Sequence, residues 1–390
     1  MVLGPGGSGI SVVAAAGALR RERGRPPSRA PLSRPGRHTL LITIDRLSPT
    51  PDLLGVFRLP GSTVAVSSGV HLLTLERLQS VEQTWSAFAG LLTAGIRDTK
   101  LNLPMLGTLA GIESAELATL PGVEEFLLLR RIRDEAVSGS WERIVVDLSG
   151  VADAFALLRA PSFLEQGIER LWPRHRRLAA ATERPVLAQL AAAIDTIARD
   201  CEDIAEVLSD PHVLAGHLVV AADARGARAV AQHLALADLM GFPLRSVLVN
   251  RGVRAGEPAE VHIKDRHVVI RMVEAAAAPL DRPARLRKLA VTLAEPTGDA
   301  RGSGAAQVRT VCGTGLDTIF EMSWEQRLPD PQRFDLGRSG DDLLVTVDGY
   351  RHAVRLPSVL RRCDVVEASW DGRSVRVRFA PDPAVWPRGQ

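Results

Sequence analysis

At 390 residues, 46% of them hydrophobic and 24% charged, the chain is long enough for one large domain and a smaller second one, each with a buried core. A net charge of +3 gives no ground for nucleic-acid binding, and no apolar run approaches the roughly 20 residues of a membrane span. Cys201, Cys312 and Cys363 lie far apart without a CxxC pair, and no two of the nine histidines stand at i, i+4, so neither a disulfide framework nor a zinc cage is expected.

The chain opens on a short apolar stub (Val2, Leu3), then GPGGSGIS over 4–11, then a helix-prone run over 12–21. Strand, glycine loop and helix in that order outline a phosphate cradle. Glycines let successive N–H groups turn inward, a lysine neutralises the terminal phosphates, and a Ser or Thr hydroxyl meets Mg²⁺. Gly4, Gly6, Gly7, Ser8 and Gly9 form the loop here, and Ser11 supplies the hydroxyl. Ile10 stands where the lysine belongs. Taken alone, this segment also reads as a glycine-rich arm ahead of a helix.

Residues 20–38 carry seven arginines against the single acid Glu22, as expected of an exposed Pro/Arg loop, with an acidic partner or a membrane surface as the competing reading. Apolar runs at 38–45, 141–150, 217–223 and 243–252 read as strands; the first two carry Asp45 and Asp147 at the ends of their apolar parts, and the last contains Asn250. Helical periodicity at 80–92, 122–137 and 227–241 separates them, Gly241 and Pro243 ending the last helix. Residues 162–210 read as an all-helical insert of two long helices. The class is α/β, a mostly parallel β-sheet flanked by helices. The small, polar, unpatterned stretch 296–310 reads as linker, and two Asp-Gly hairpins at 341–357 and 364–379 form a small antiparallel β module. The expected division is a domain over 1–297, a linker over 298–332 and a β domain over 333–382.

In this order the segments resemble the arsenite-pump ATPase (ArsA) family, which includes the ATPase that targets tail-anchored membrane proteins, over nearly the whole chain. That family carries GKGGVGKT, and GPGGSGIS matches its glycines with Pro5 and Ile10 at the two lysines. TIDRLSP keeps the aspartate of TDPAHS as Asp45 and loses PAH. IVVDLSGVADAFALLRAP keeps Asp147 and the LLR-x-P tail, while Leu148, Gly150, Val151 and Asp153 replace the polar switch. VLVNR keeps Asn250, and the C-terminal hairpins resemble the small heat-shock-protein-like β-sandwich of bacterial relatives.

The resemblance implies a P-loop NTPase fold, ATP as ligand in the loop and on Asn250, Mg²⁺ held through Ser11 and Asp147, and Asp45 as the group that activates water. It implies no intrinsic metal and no organic cofactor. Loss of a positive group at the γ-phosphate removes about 3 kcal/mol or more from the transition state, so hydrolysis is expected to be impaired. A nucleotide-binding or regulatory subunit follows, pairing as a homodimer or with an active paralogue. An active ATPase for anion transport or membrane-protein targeting, and a chaperone-like client-binding protein, are the alternatives. With no leader in view the chain reads as cytoplasmic, peripheral membrane contact being compatible with it.

Overall fold

The computed structural model describes residues 1–20, 39–45, 47–77, 116, 122–183, 185–253, 256–263, 267–298 and 306–386. The chain divides into two units, one of Met1–Leu208, Asn250–Val253 and Val273–Leu293, the other of Ser209–Val249, Arg254–Met272 and Ala294–Gln390.

In the first unit five strands lie in the order β3 (Thr63–Ser67), β4 (Val70–Leu75), β2 (Thr39–Ile44), β5 (Arg143–Asp147), β1 (Val2–Leu3). β2 pairs in parallel with β4 and β5, and β5 in parallel with β1; β3 alone is antiparallel. Every residue of β2 is buried, which is why TLLITI is a continuous apolar run instead of an alternation. Helix α1 (Ile10–Ala18) packs on β2 and β5. Eight of its nine residues are buried, so it carries Val and Ala all round and no polar stripe. The strand, loop, helix order expected at the N-terminus is present, and the α/β P-loop class stands. β3 and β4, a hairpin turning at Gly69 (φ 77°), were not anticipated. The helix expected at 80–92 and the basic loop over 21–38 lie outside the described residues.

Helix α2 (Thr50–Leu54) follows β2, and α3 (Val123–Val137) precedes β5. Between β5 and the second unit, three helices stand where two were expected: α4 (Ala154–Leu171), α5 (Arg174–Glu183) and α6 (Pro185–Ser209). α4 starts ahead of residue 162 because Asp153 caps it, its carboxylate accepting from Phe155 N and Ala156 N at 3.0 Å each. Pro173 marks the break between α4 and α5. The corner is pinned by Arg177, only 2% exposed, which donates to Asp195 at 2.8 Å and to the Trp172 carbonyl. Asp200 sits between Arg130 (3.0 Å) and Arg133 (2.8 Å), tying α6 to α3.

The second unit begins with β6 (Gly216–Ala221), α7 (Ala224–Met240) and β7 (Leu244–Asn250), with β8 (Val269–Val273) next to β7. Asp223 caps α7 through Gly226 N at 2.9 Å, and Gly241 (φ 63°) ends it as expected. The C-terminal part holds two antiparallel sheets. One has the order β14 (Cys363–Trp370), β15 (Ser374–Pro381), β10 (Ile319–Glu325), β9 (Gln307–Cys312); the other is β11 (Phe334–Ser339), β12 (Asp342–Val347), β13 (Tyr350–Arg355). Both hairpins turn at their Asp-Gly pairs, Asp348-Gly349 with positive φ at both residues. They belong to different sheets, however, and β9 and β10 lie inside the stretch expected to be linker.

This β module is clipped to α7. Gln326 Nε2 donates to the Ala235 carbonyl at 2.9 Å, and the Asp238 carboxylate accepts from Arg327 N, Nε and Nη2 at 2.9, 2.7 and 2.5 Å. Arg327→Ala removes two of these three donors from a carboxylate whose side chain is 6% exposed and leaves the main-chain N–H of residue 327, a loss of about 2 kcal/mol after allowance for the partly exposed arginine. Hydrogen exchange of 306–386 should accelerate accordingly; unchanged protection there would mean that the clip contributes nothing.

Candidate functional site

The loop from Gly4 to Gly9 joins β1 to α1, and its glycines are there for conformation. Gly7 (φ 78°) and Gly9 (φ 88°) occupy the left-handed region, where a side chain is strained. Gly9 has a second reason: a Cβ there would lie 2.4 Å from Asn250 Nδ2. A methyl group at Gly6 or Gly7 would meet nothing within 4 Å, so the space beside these two residues is open. The turn is closed by Ser8 N donating to the Pro5 carbonyl at 3.3 Å.

Two groups in this loop lack what buried polar groups normally have. Ser8 is 2% exposed and its Oγ has no hydrogen-bond partner among the described residues. The N-terminus of α1 has no side-chain cap, leaving its first-turn amides pointing at the loop. Donors without acceptors at the positive end of a helix dipole are what a phosphate oxygen satisfies, so the loop fits an anion.

The lysine charge is absent from the loop itself. Ile10, the first residue of α1, is 5% exposed and belongs to the core. Only three lysines exist in the chain; Lys288 is exposed on a short turn, and Lys100 and Lys264 lie outside the described residues. Arg20, beyond the C-terminal end of α1, donates to the Ala290 carbonyl, and Arg143 Nη1 donates to the Gly17 and Arg20 carbonyls at 3.3 and 3.1 Å. Both cations serve the negative end of the α1 dipole, not the loop.

Asp45 takes a left-handed backbone (φ 89°), a strained state for a residue with a Cβ. Its Oδ1 accepts from Leu47 N at 3.2 Å, closing a local turn. Arg58 braces that turn by donating to the Asp45 carbonyl (3.2 Å) and the Ser48 carbonyl (2.6 Å). Gly150 packs against the same corner. A Cβ on it would stand 2.0 Å from the Ile44 carbonyl and 2.6 Å from Asp45 Cβ.

Asp147 at the end of β5 is fully buried. Its Oδ1 accepts from Ser149 N at 3.0 Å and its Oδ2 from Thr50 Oγ1 at 2.7 Å. Each hydroxyl has one proton to give, so the remaining contacts order themselves into a relay: Thr43 donates to Ser48 (2.6 Å), Ser48 to Thr50 (3.1 Å), Thr50 to the carboxylate. Thr43 and Thr50 are fully buried and Ser48 is 3% exposed. Ser11, 6% exposed, donates to Ser149 Oγ at 2.7 Å, so Ser149 stands between the loop hydroxyl and the carboxylate. Asn250 is 5% exposed, donates through Nδ2 to the Ser8 carbonyl at 3.0 Å and accepts through Oδ1 from Gly252 N at 2.9 Å.

The sequence-predicted residues therefore meet in two groups: Ser8, Gly9 and Asn250 form one, and Ser11 and Asp147, joined through Ser149, the other, with Asp45 in its own turn beside Gly150. Thr43, Ser48, Thr50, Ser149 and Arg58 were missed. Hydroxyl residues at the end of a buried strand and just beyond it were the signal for the first three; Arg58 carried none. Among the described residues no three His, Cys, Asp or Glu side chains cluster as a metal site, and no helix is long and apolar enough to cross a membrane.

Comparison with known proteins gives two family matches. Residues 1–270 match the anion-transporting ATPase model, and residues 321–379 match the HSP20-like domain found in ArsA. Protein Rv2184c of Mycobacterium tuberculosis is 30% identical, the match covering 90% of this chain and 91% of that one. Uncharacterized protein SCO2128 of Streptomyces coelicolor is 32% identical over the full length of this chain and 99% of its own.

Proposed function

Because this chain belongs to the anion-transporting ATPase (ArsA) family and ends in that family's HSP20-like domain, we propose that it is a nucleotide-binding regulatory subunit whose hydrolytic step is impaired, paired with an active paralogue. The observation that carries this reading is Ile10, an apolar core residue where the loop lysine belongs. Phosphoryl transfer asks a protein mainly for positioning and for positive charge at the terminal phosphate. The loop offers backbone amides and Ser8, enough to hold a phosphate and too little to stabilise its transition state. ATP and Mg²⁺ are the ligands the family implies; of the residues expected to hold them, the loop suits phosphate, whereas Ser11, Asp147 and Asn250 are engaged with neighbours inside the fold.

The retained Asp45 supports the same view. Its carboxylate closes a local turn, leaving the corner intact as structure while the polar residues around it are lost. A partner whose loop keeps both lysines would supply the missing charge across a shared face.

The test uses the purified full chain. With Mg-ATP, turnover is expected at least a hundredfold below the roughly 10 s⁻¹ of an ordinary enzyme, while ATP still raises the melting temperature. Co-expression with a paralogue containing GKGGVGKT should give a co-purifying complex with altered turnover of that partner. Robust ATP hydrolysis lost in Asp45→Asn would replace this reading with that of a working pump or targeting ATPase.

A further inference from the structure

Resting on the reading that the glycine loop holds phosphate, we propose that it does so without a divalent cation and without Asn250 reading the base, so that the recognised ligand is the phosphate group itself. Each side chain that would reach outward to a metal or a base is engaged inward. Asp147 exposes no surface at all. Mg²⁺ keeps most of its water shell and is held by carboxylates directly or through those waters; a fully buried carboxylate offers neither a direct oxygen nor a wet face. Its oxygens are already met by Thr50 and by the Ser149 amide, with Thr43 and Ser48 feeding the relay from behind. Ser11 gives its proton to Ser149 Oγ and is itself 6% exposed. The hydroxyl and the carboxylate that jointly hold Mg²⁺ in a working loop are here separated by Ser149, so the residues present do not fit the ion.

Asn250 follows the same pattern on the other side. Its amide nitrogen is bonded to the Ser8 carbonyl and its oxygen to Gly252 N, and the approach that makes this possible requires Gly9 to lack a Cβ. Asn250 is thus a positioning residue that braces the loop from behind. What the loop keeps without a partner in the fold is the buried Ser8 Oγ, at the base of the uncapped first turn of α1 and beside open space at Gly6 and Gly7. Those groups are hydrogen-bond donors, and phosphate oxygens are acceptors that satisfy them.

The experiment is a calorimetric titration of the full-length protein with ATP, GTP and inorganic pyrophosphate, each in excess Mg²⁺ and in EDTA. The expected result is a Kd for each that changes by less than about threefold between Mg²⁺ and EDTA, with ATP and GTP within about threefold of each other. Ser8→Ala should weaken all three by about tenfold with no loss of melting temperature, since it removes one donor to a charged acceptor and a hydroxyl that has no partner in the fold. Pyrophosphate separates a free phosphate ligand from a nucleoside one: binding as tight as ATP means the base and sugar contribute nothing. ATP binding lost tenfold or more in EDTA, or ATP preferred tenfold or more over GTP with the preference abolished by Asn250→Ala, overturns the inference while leaving nucleotide binding in place. Failure of all three ligands to bind removes the phosphate-loop reading and this inference with it.

Discussion

Placing a lysine at position 10 should move stability and binding in opposite directions. In the ligand-free chain Ile10→Lys removes a side chain that is 5% exposed from the core and sets a cation at the positive end of α1. Lost burial contributes about 2 kcal/mol and the dipole about 0.5 kcal/mol, so the melting temperature should fall by several degrees. With a polyphosphate bound, the same ammonium meets an anion, and a hydrogen bond between charged groups returns about 2 kcal/mol. Affinity should rise about thirtyfold. The ligand-induced shift in melting temperature, larger in the variant than in the natural chain, is the measurement. Turnover should stay low, since the lysine does not alter the enclosure of Asp147 or the Asp45 turn. A variant that is destabilised with no gain in ligand response would show that position 10 does not face the ligand, and would remove the main support for the regulatory reading.

Gly150→Ala is expected to give the largest loss of stability among single methyl additions near the site, about 3 kcal/mol or more. The new Cβ would stand 2.0 Å from a backbone oxygen at Ile44 and 2.6 Å from Asp45 Cβ. No flexible side-chain end can give way, so the backbone after β2 or the one after β5 must shift. A control separates this clash from ordinary glycine strain. Gly139 has φ 67° and nothing within 4 Å of a Cβ, so Gly139→Ala should cost only about 1 kcal/mol. Urea unfolding of the two variants gives the comparison; equal midpoints would mean that the Asp45 corner moves freely and is not held by Gly150.

The Gly150 case also shows how a sequence can be read rightly as to place and incompletely as to reason. In the family pattern, Gly150 and Asp153 stand where polar switch residues belong, which registers as chemistry lost. In the folded chain Asp153 is the N-cap of α4 and Gly150 is a required close approach. The retained LLR-x-P tail has a packing reason as well: Leu157, Leu158, Ala160 and Pro161 are buried on α4. β9 and β10 were missed for a related cause. A strand such as QVRTVC, exposed at five of its six positions, has no hydrophobic alternation to announce it. It forms because β10 offers a pairing edge.

From the sequence alone one could determine the order of strand, loop and helix, the buried parallel strands, the two Asp-Gly hairpins and the loss of both loop lysines. Those properties depend on periodicity, glycine placement and residue identity, all local to a few positions. Tertiary structure decided what the surviving polar residues do. Asn250 reaches the Ser8 carbonyl across 242 positions, Ser11 reaches Ser149 across 138, and Thr50 reaches Asp147 across 97. Whether a carboxylate faces a ligand or a neighbouring hydroxyl depends on which strands end side by side and how completely they exclude water. No local pattern encodes that; here the fold closed these residues inward and left the buried Ser8 Oγ without a partner.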